Sequence, residues 1–444
     1  MRDKANHAAP DRSSDARAAG GGRAIGFWSA LALVMGNLIG SGIYLLPATL
    51  APYGANASWG WVATIAGAMC LSFVFARLSA ALPRAGGPYA YADAAFGPAI
   101  GFATAWSYWT LIWAGNGAVA VAVVSALSLA IPALAPHAAI AAVALVWAMV
   151  AINITGVGLA ARVQMTTMLI KLVPLVGVIL LAAWALLTRG TGAIAADLPV
   201  PVSGGAIAAA AALTFWGFLG VESATVPADK VVDARRTVPR ATLIGTAATG
   251  VIYLAVSGAV TALMPRAAVA ASPAPIADFL GLALGGGIAR IVALFAAISA
   301  LGTLNGFVLL QGEMPRAMAA GGVFPRWFAR QTRGGTPARA HVVAGLLVTG
   351  VTLANYTRGM GDLFAFIAAM SLAAGMLAYA VSALSAVRLL RADPMARTAG
   401  IVATGFIAWL AWGLGGEANL WALVLLAAGV PVYWAVRRGA ATSR

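Results

Sequence analysis

Two glycine-rich stretches with polar residues interrupt long apolar runs of this sequence. The first covers residues 36–42 (GNLIGSG) and the second covers residues 217–223 (GFLGVES). Glycine tolerates backbone conformations that other residues avoid, so a helix can unwind at each stretch and leave amides and carbonyls without helical partners. Such amides attract a carboxylate, and such carbonyls accept hydrogens from an ammonium group. The pair predicts a site for an α-amino acid or an amine; the alternative is that the glycines only allow close helix packing.

Two ionisable residues lie deep in apolar runs. Glu222 belongs to the second stretch, and a charge at the centre of a membrane span costs about 2.5–3.5 kcal/mol on insertion scales. Lys171 lies roughly 13 Å into its run, counted from Arg162 at about 1.5 Å per residue. An ionisable residue at such a depth needs a functional or a structural reason. The structural alternatives are that backbone donors satisfy Glu222 and that Lys171 is a cation that snorkels or pairs with carbonyls.

Aromatic and polar side chains complete the predicted site. Trp216 directly precedes the second stretch, where its indole face can stack on a cation, gate the site or pack against lipid. One helical face of the third apolar run carries four further candidates, Tyr108, Leu111, Ile112 and Asn116. For Asn116 the structural alternative is that its amide joins two helices.

The composition predicts that lipid surrounds most of the chain. Of 444 residues, 61% are hydrophobic and 9% are charged, against roughly 25% charged residues in soluble domains. The single cysteine, Cys70, excludes a disulfide framework within one chain, and the three histidines have no metal-ligand spacing. We therefore expect no cofactor, no metal and no catalytic site.

Twelve apolar runs are long enough to cross a bilayer. They lie near residues 26–51, 59–82, 98–131, 138–156, 162–188, 206–228, 239–264, 287–318, 338–356, 361–389, 398–414 and 418–436. The breaks fall in the first and sixth runs, five helices apart, which is the pattern of an inverted-repeat transporter with a site at the midplane.

The predicted domain organisation follows from these runs. Residues 1–23 have the composition of a disordered tail, and residues 24–444 form one transporter domain. We expect the first repeat at about 26–188, the second at about 206–389, and two extra helices at about 398–436.

Basic residues lie mainly on one side of the predicted spans. With the N-terminus inside, 23 Lys and Arg fall on the cytoplasmic side and four on the outer side, namely Arg189, Arg266, Arg290 and Arg358. This asymmetry predicts cytoplasmic N- and C-termini. It also accounts for the net charge of +15 without a nucleic-acid partner.

Three sequence strings resemble one known family. They are residues 36–48 (GNLIGSGIYLLPA), 86–92 (GGPYAYA) and 216–224 (WGFLGVESA). In these strings the chain is similar to the bacterial arginine/agmatine antiporter and its lysine/cadaverine and ornithine/putrescine relatives, within the amino acid/polyamine/organocation superfamily. The likeness runs from about residue 26 to residue 435, and the third string is its most specific part.

The resemblance implies an all-α integral membrane fold of about 12 transmembrane helices, with a LeuT-like 5+5 inverted repeat and broken helices 1 and 6. It implies that Glu222 has a protonation or gating role in proton-dependent transport, that Trp216 is the outer gate and that Tyr108 is an inner gate. It also implies that Asn116 binds the distal polar end of the substrate. The full set of implied substrate-binding residues is Asn37, Gly40, Ser41, Gly42, Tyr108, Leu111, Ile112, Asn116, Trp216, Leu219 and Phe307.

The chain departs from the family pattern at several positions. Phe307 stands where the arginine/agmatine antiporter has a tryptophan, and phenylalanine is a poorer cation–π partner. Leu111, Ile112 and Val119 replace an alanine, a cysteine and a methionine. Lys171 resembles a lysine of proton-coupled amino-acid transporters and L-type exchangers that substitutes for a sodium ion beside the first break.

These observations predict a secondary active transporter, foremost an antiporter that exchanges arginine for agmatine by alternating access. The alternatives are a proton-coupled or exchange carrier for neutral amino acids and, less favoured, a sodium-coupled symporter. A channel would need polar rings along several helices. The expected partners are a small amino acid or amine, protons and lipid, and the resemblance suggests a homodimer. The abundance of Ala and Arg fits a bacterial inner membrane.

Overall fold

The computed structural model describes residues 25–195, 197–272, 274–285, 287–354 and 360–441. The predicted tail at 1–23 and Arg358 lie outside these residues. In the described part of the chain, eleven helical segments are long and apolar enough to cross a membrane, and Ala338–Ala354 is a shorter apolar helix where the ninth span was predicted. We number the spans 1 to 12 along the chain.

The helices that form the spans are the following: span 1, Phe27–Leu38 and Gly42–Leu50; span 2, Ala55–Ala81; span 3, Pro98–Ala130; span 4, Ala138–Thr155; span 5, Val157–Arg189; span 6, Gly204–Phe215 and the turns after it; span 7, Ala234–Leu263; span 8, Ile288–Ala320; span 9, Ala338–Ala354; span 10, Met360–Leu389; span 11, Pro394–Gly413; span 12, Gly416–Ala427 and Gly429–Ala441. Three short helices, Pro88–Phe96, Arg266–Ala271 and Pro275–Leu284, lie between spans and were not predicted.

Span 6 differs from its prediction. Its apolar run was placed at about 206–228 with a break at 217–223, but the α-helix ends already at Phe215. Leu219 is extended (φ −63°, ψ 127°) and Gly220 has φ +104°, a conformation that favours glycine. Beyond Gly220 the chain forms short 3₁₀ turns at Ser223–Thr225 and Ala228–Lys230. The sequence could locate this break but not the 3₁₀ turns that follow it.

The spans pack as two groups. Span 7 packs on spans 1 and 2, and span 2 also packs on span 6. Span 3 packs on spans 8 and 10, and span 9 packs on span 4. The broken spans therefore belong to one group, called here the bundle, and spans 3, 4, 8 and 9 form the other, called the scaffold. The candidate site lies where the two groups meet.

Candidate functional site

At the break in span 1, side chains of other spans donate hydrogen bonds to the freed carbonyls. The amides that follow the break lie at the start of a new half-helix. The helix ends at Leu38 because Ile39 leaves helical geometry (φ −78°, ψ 86°). Tyr253 donates to the carbonyl of Leu38 at 2.5 Å, and Ser299 donates to the carbonyl of Gly40 at 3.2 Å. The new half-helix begins at Gly42, so its first amides are not needed by its own hydrogen-bond ladder. This end is suited to a carboxylate.

Lys171 lies directly behind the first break. Its side chain has no exposed surface, and Nζ donates to the carbonyls of Gly36 at 2.8 Å and Ile39 at 2.5 Å. Thr303 on span 8 donates to the same carbonyl of Gly36 at 2.8 Å. The ammonium group thus holds the oxygens that the unwound backbone exposes, which is the position a bound cation would take.

The second break brings Glu222 against span 3. Tyr108 donates to Oε1 of Glu222 at 2.6 Å, and both side chains have no exposed surface. The next residue, Ser223, accepts a hydrogen bond from Nδ2 of Asn37 at 2.7 Å. Two residues that the sequence suggested separately, Tyr108 and Glu222, therefore form one contact between scaffold and bundle.

Gly220 shows how closely the two breaks approach. A Cβ atom added there would lie 2.9 Å from Cβ of Asn37. Any larger residue would force spans 1 and 6 apart, in addition to the strain of its positive φ.

A small cavity of about 20 Å³ lies between the breaks, which is room for about one water molecule. Eight of its lining residues were named from the sequence, namely Asn37, Gly40, Ser41, Gly42, Val119, Trp216, Leu219 and Phe307. An amino acid does not fit this volume, so binding requires the surrounding side chains to move apart.

Trp216 separates this cavity from a larger one. The indole also lines a cavity of about 510 Å³ that lies against Leu45 and Leu46 of span 1 and Ala212 of span 6. A Cβ atom added to Gly42 would lie 3.3 Å from the indole ring. Trp216 is therefore in place to close one cavity from the other.

The remaining residues of the predicted span 3 face do not line the small cavity. Asn116 bonds instead to Gln311 of span 8, with 2.7 Å between Nδ2 and Oε1. Leu111 packs against Gly375 of span 10, and Ile112 is also buried. The residues predicted from spacing to share one helical face therefore contact different spans: Tyr108 meets span 6, Leu111 meets span 10 and Asn116 meets span 8.

The side of the protein that the sequence predicts to be cytoplasmic is called here the inner side. A cluster of four charged residues lies there, at the ends of spans 6 and 8. Lys230 contacts Glu313, and Arg316 donates to Glu313 at 2.6 Å and to Asp229 at 2.8 Å. Lys230 also donates to the carbonyl of Gly335 at 2.9 Å. These four residues, the inner ion cluster, join the segment after span 6 to the scaffold.

Sequence reasoning missed the inner ion cluster, Gln311 and the donors to the first break. Lys230 and Arg316 were counted only as cytoplasmic charges, and Glu313 proves to be a second fully buried carboxylate. A signal was present for the donors, because Ser299 and Thr303 recur at intervals of four in the apolar run that continues to Phe307 and Gln311. Among the described residues, no group of three or more His, Cys, Asp or Glu side chains is arranged to hold a metal ion.

The sequence matches proteins of one family along nearly its whole length. Residues 25–436 match the family model for amino acid permeases. The chain is 34% identical over 371 residues to the cadaverine/lysine antiporter of Escherichia coli K12, which covers 82% of this chain and 83% of that protein. It is 25% identical over 352 residues to the putrescine transporter PotE of Escherichia coli K12, which covers 79% and 80%.

Among solved structures, the substrate-bound outward-open state of a Na⁺-coupled sialic acid symporter matches with a TM-score of 0.55 over 93% of both chains. The identity is 14%, so the likeness concerns the fold alone. The all-α, LeuT-like arrangement expected from the sequence, with breaks in spans 1 and 6, is confirmed.

Proposed function

The chain belongs to the amino acid permease family, and we propose that it is an antiporter that exchanges a cationic amino acid for the corresponding amine by alternating access. The observation that carries this proposal is the cavity at which both helix breaks meet. The start of the half-helix at Gly42 supplies amides for the substrate carboxylate, and the unwound backbone around Leu219 supplies carbonyls for its ammonium group.

Two substrate pairs are candidates. Arginine with agmatine is the pair expected from the resemblance. Lysine with cadaverine is the pair in the name of the relative that is 34% identical, and we place it first. Phe307 at the cavity supports placing lysine before arginine. The arginine/agmatine antiporter has a tryptophan at this position, and tryptophan would stack more strongly on a planar guanidinium than phenylalanine does.

We propose that Lys171 replaces a sodium ion. Sodium would need the carbonyl and hydroxyl oxygens that Lys171 already contacts at Gly36, Ile39 and Thr303. A second cation there would be repelled by the buried ammonium group. Exchange should therefore proceed without sodium.

Glu222 and Tyr108 are the proposed proton-responsive contact. A change in protonation of Glu222 alters the hydrogen bond to Tyr108, which joins the bundle to the scaffold. The inner ion cluster is a second contact between the segment after span 6 and the scaffold, and it lies nearer the inner side than Glu222 and Tyr108. Trp216 is the proposed outer gate, because it lies between the two cavities.

A carrier for neutral amino acids is the second candidate. The aliphatic side chains of Leu38, Val119 and Leu219 line the cavity and favour it. The exchange experiment below separates the two.

The organisation of the chain in the membrane is also proposed. Residues 24–444 act as one transporter domain with repeats at about 26–188 and 206–389 and extra helices at about 398–436. The distribution of basic residues suggests that both termini lie in the cytoplasm. The proposed location is a bacterial inner membrane, and the family resemblance suggests a homodimer.

Exchange in liposomes tests the function. Purified protein is reconstituted with internal cadaverine, and uptake of labelled lysine is followed without sodium. Internal agmatine with external arginine and internal leucine with external leucine are the parallel arms. Uptake of lysine or arginine that depends on internal amine supports the proposal. Exchange of leucine alone overturns it in favour of the neutral carrier.

A further inference from the structure

The side chains of Asn116 and Gln311 form an amide pair within the protein interior. Both have almost no exposed surface, and Nδ2 of Asn116 lies 2.7 Å from Oε1 of Gln311. The backbone carbonyl of Gln311 accepts a separate bond from Nε1 of Trp109 at 2.9 Å. The backbone at Gln311 is therefore held without help from its side chain.

The pair leaves one acceptor and one donor unused. Oδ1 of Asn116 and Nε2 of Gln311 have no hydrogen-bond partner among the described residues. Rotating both amides by 180° exchanges which residue supplies the acceptor, but one acceptor and one donor remain in either case. Buried amides normally find partners, so an incomplete pair marks a place where another polar group fits.

Helical spacing puts the pair next to the cavity. On span 8, Thr303 and Phe307 line the cavity, and Gln311 follows Phe307 by four residues on the same face. On span 3, Val119 lines the cavity, and Asn116 precedes it by three residues. The pair thus lies about one helical turn from the cavity lining, roughly 5–6 Å along the helix axes.

That distance matches the length of a substrate side chain. A molecule whose carboxylate lies at the start of the half-helix at Gly42 would extend its side chain past Val119 and Phe307. The far end of a four-carbon chain, about one helical turn away, would reach the amide pair. Further along span 3 in the same direction lies Tyr108, bonded to Glu222, which closes this path.

We propose that Gln311 is a specificity-determining residue, which with Asn116 binds the polar far end of the substrate and disfavours substrates whose side chain is wholly aliphatic. This proposal rests on the proposed function for the place of the substrate carboxylate. An ammonium group donates to the unused acceptor of the pair. A methyl group in the same place leaves both unused amide groups buried without any partner, water included.

Binding of two matched ligand pairs tests this inference. Norleucine has the carbon chain of lysine but lacks the side-chain ammonium group. In the same way, 1-pentylamine has the carbon chain of cadaverine but only one of its two ammonium groups. The measured quantity is the ratio of Kd for norleucine to Kd for lysine, and the corresponding amine ratio, for the purified full chain. We expect wild-type ratios above about 10, because a buried polar group is left unpaired by the apolar ligand.

Substitution of Gln311 should change these ratios in opposite directions. Gln311→Met keeps the chain length but removes both polar atoms, and it should lower the ratios at least about 10-fold. Gln311→Glu still accepts from Asn116 and adds a negative charge, so it should raise them. Gln331→Met is the matched control, since Gln331 is exposed in the segment after span 8, and it should leave the ratios unchanged.

Several outcomes would overturn the proposal. A purely structural amide pair predicts that Gln311→Met weakens lysine and norleucine equally, or lowers thermal stability with unchanged ratios. If Gln311→Met does not fold, an unchanged ratio in Gln311→Glu is the overturning result. If the wild type carries only neutral substrates, the proposed function fails separately. The ratio is then measured for glutamine against norleucine, and insensitivity of that ratio to Gln311→Met overturns the inference.

Discussion

Replacing Glu313 by glutamine is expected to open the inner side of the protein. The carboxylate of Glu313 is fully buried and contacts both Lys230 and Arg316, so its loss leaves two cations poorly compensated. Removing one partner of a buried ion pair costs about 3–5 kcal/mol. In an inner-open state the segment after span 6 would leave span 8 and water would reach these cations, so the cost would fall on the inner-closed state. The equilibrium should shift towards the inner-open state by about 10²- to 10⁴-fold.

Labelling of a single cysteine measures this shift. Cys70, the only cysteine, is replaced by serine, and Ala317→Cys is introduced on span 8. Ala317 is 5% exposed and lies against Gly86, where an added Cβ atom would lie 2.9 Å from Cβ of Ala317. A membrane-impermeant maleimide applied from the inner side should label Ala317→Cys at least about 10-fold faster when Glu313→Gln is present.

The control is the same acid-to-amide change at an exposed ion pair. Asp393 pairs with Arg77 and caps span 11 through the amide of Ala396 at 3.0 Å. The hydrogen bond from the amide of Ala396, and after it the bond from Arg77, lower the pKa of Asp393. Their contribution to the stability of the fold is therefore lost only in acid, as the pH falls through that pKa. Asparagine caps equally well, and Asp393→Asn should leave the labelling rate unchanged. Equal rates in folded Glu313→Gln and wild type would show that the inner ion cluster does not hold the inner side closed.

Three further predictions concern the centre of the site. The rate of substrate exchange by the wild type should be the same in sodium and in choline buffers. Lys171→Ala frees the carbonyls of Gly36 and Ile39 and should abolish exchange in choline. Wild-type exchange that requires sodium would contradict the proposal that Lys171 replaces a sodium ion. Glu222→Gln should flatten the dependence of the exchange rate on pH between about 5 and 8, and a retained wild-type profile would exclude Glu222 as the proton-responsive group. Trp216→Ala should weaken lysine binding about 3- to 30-fold by removing a cation–π contribution of about 0.5–2 kcal/mol, and an unchanged Kd would exclude this contact with the substrate.

The sequence predicted the fold because the bilayer imposes a strong pattern on it. Apolar runs gave the spans, and glycine-rich polar interruptions gave both breaks at residues 36–42 and 217–223. The form of the second break was not predicted, since the 3₁₀ turns after Gly220 depend on contacts with Asn37 and Tyr379 rather than on local propensity. The short helices between spans were missed because each is too brief for a periodic pattern.

The site was predictable where residues lie next to a break. Asn37, Gly42 and Leu219 line the cavity for that reason. Contacts between residues far apart in the chain were not predictable. Lys230 and Glu313 are separated by 83 residues, and Asn116 and Gln311 by 195, so no spacing rule joins them.

A structure determined with lysine bound would test the central claim most directly. We expect the substrate carboxylate within hydrogen-bond distance of the amides at Ser41 and Gly42, and the α-ammonium group against the carbonyls near Leu219. The side chain should extend beyond Phe307 and point towards Gln311. Lysine bound only in the larger cavity on the other side of Trp216, with the two breaks unchanged and unoccupied, would show that the breaks do not form the substrate site.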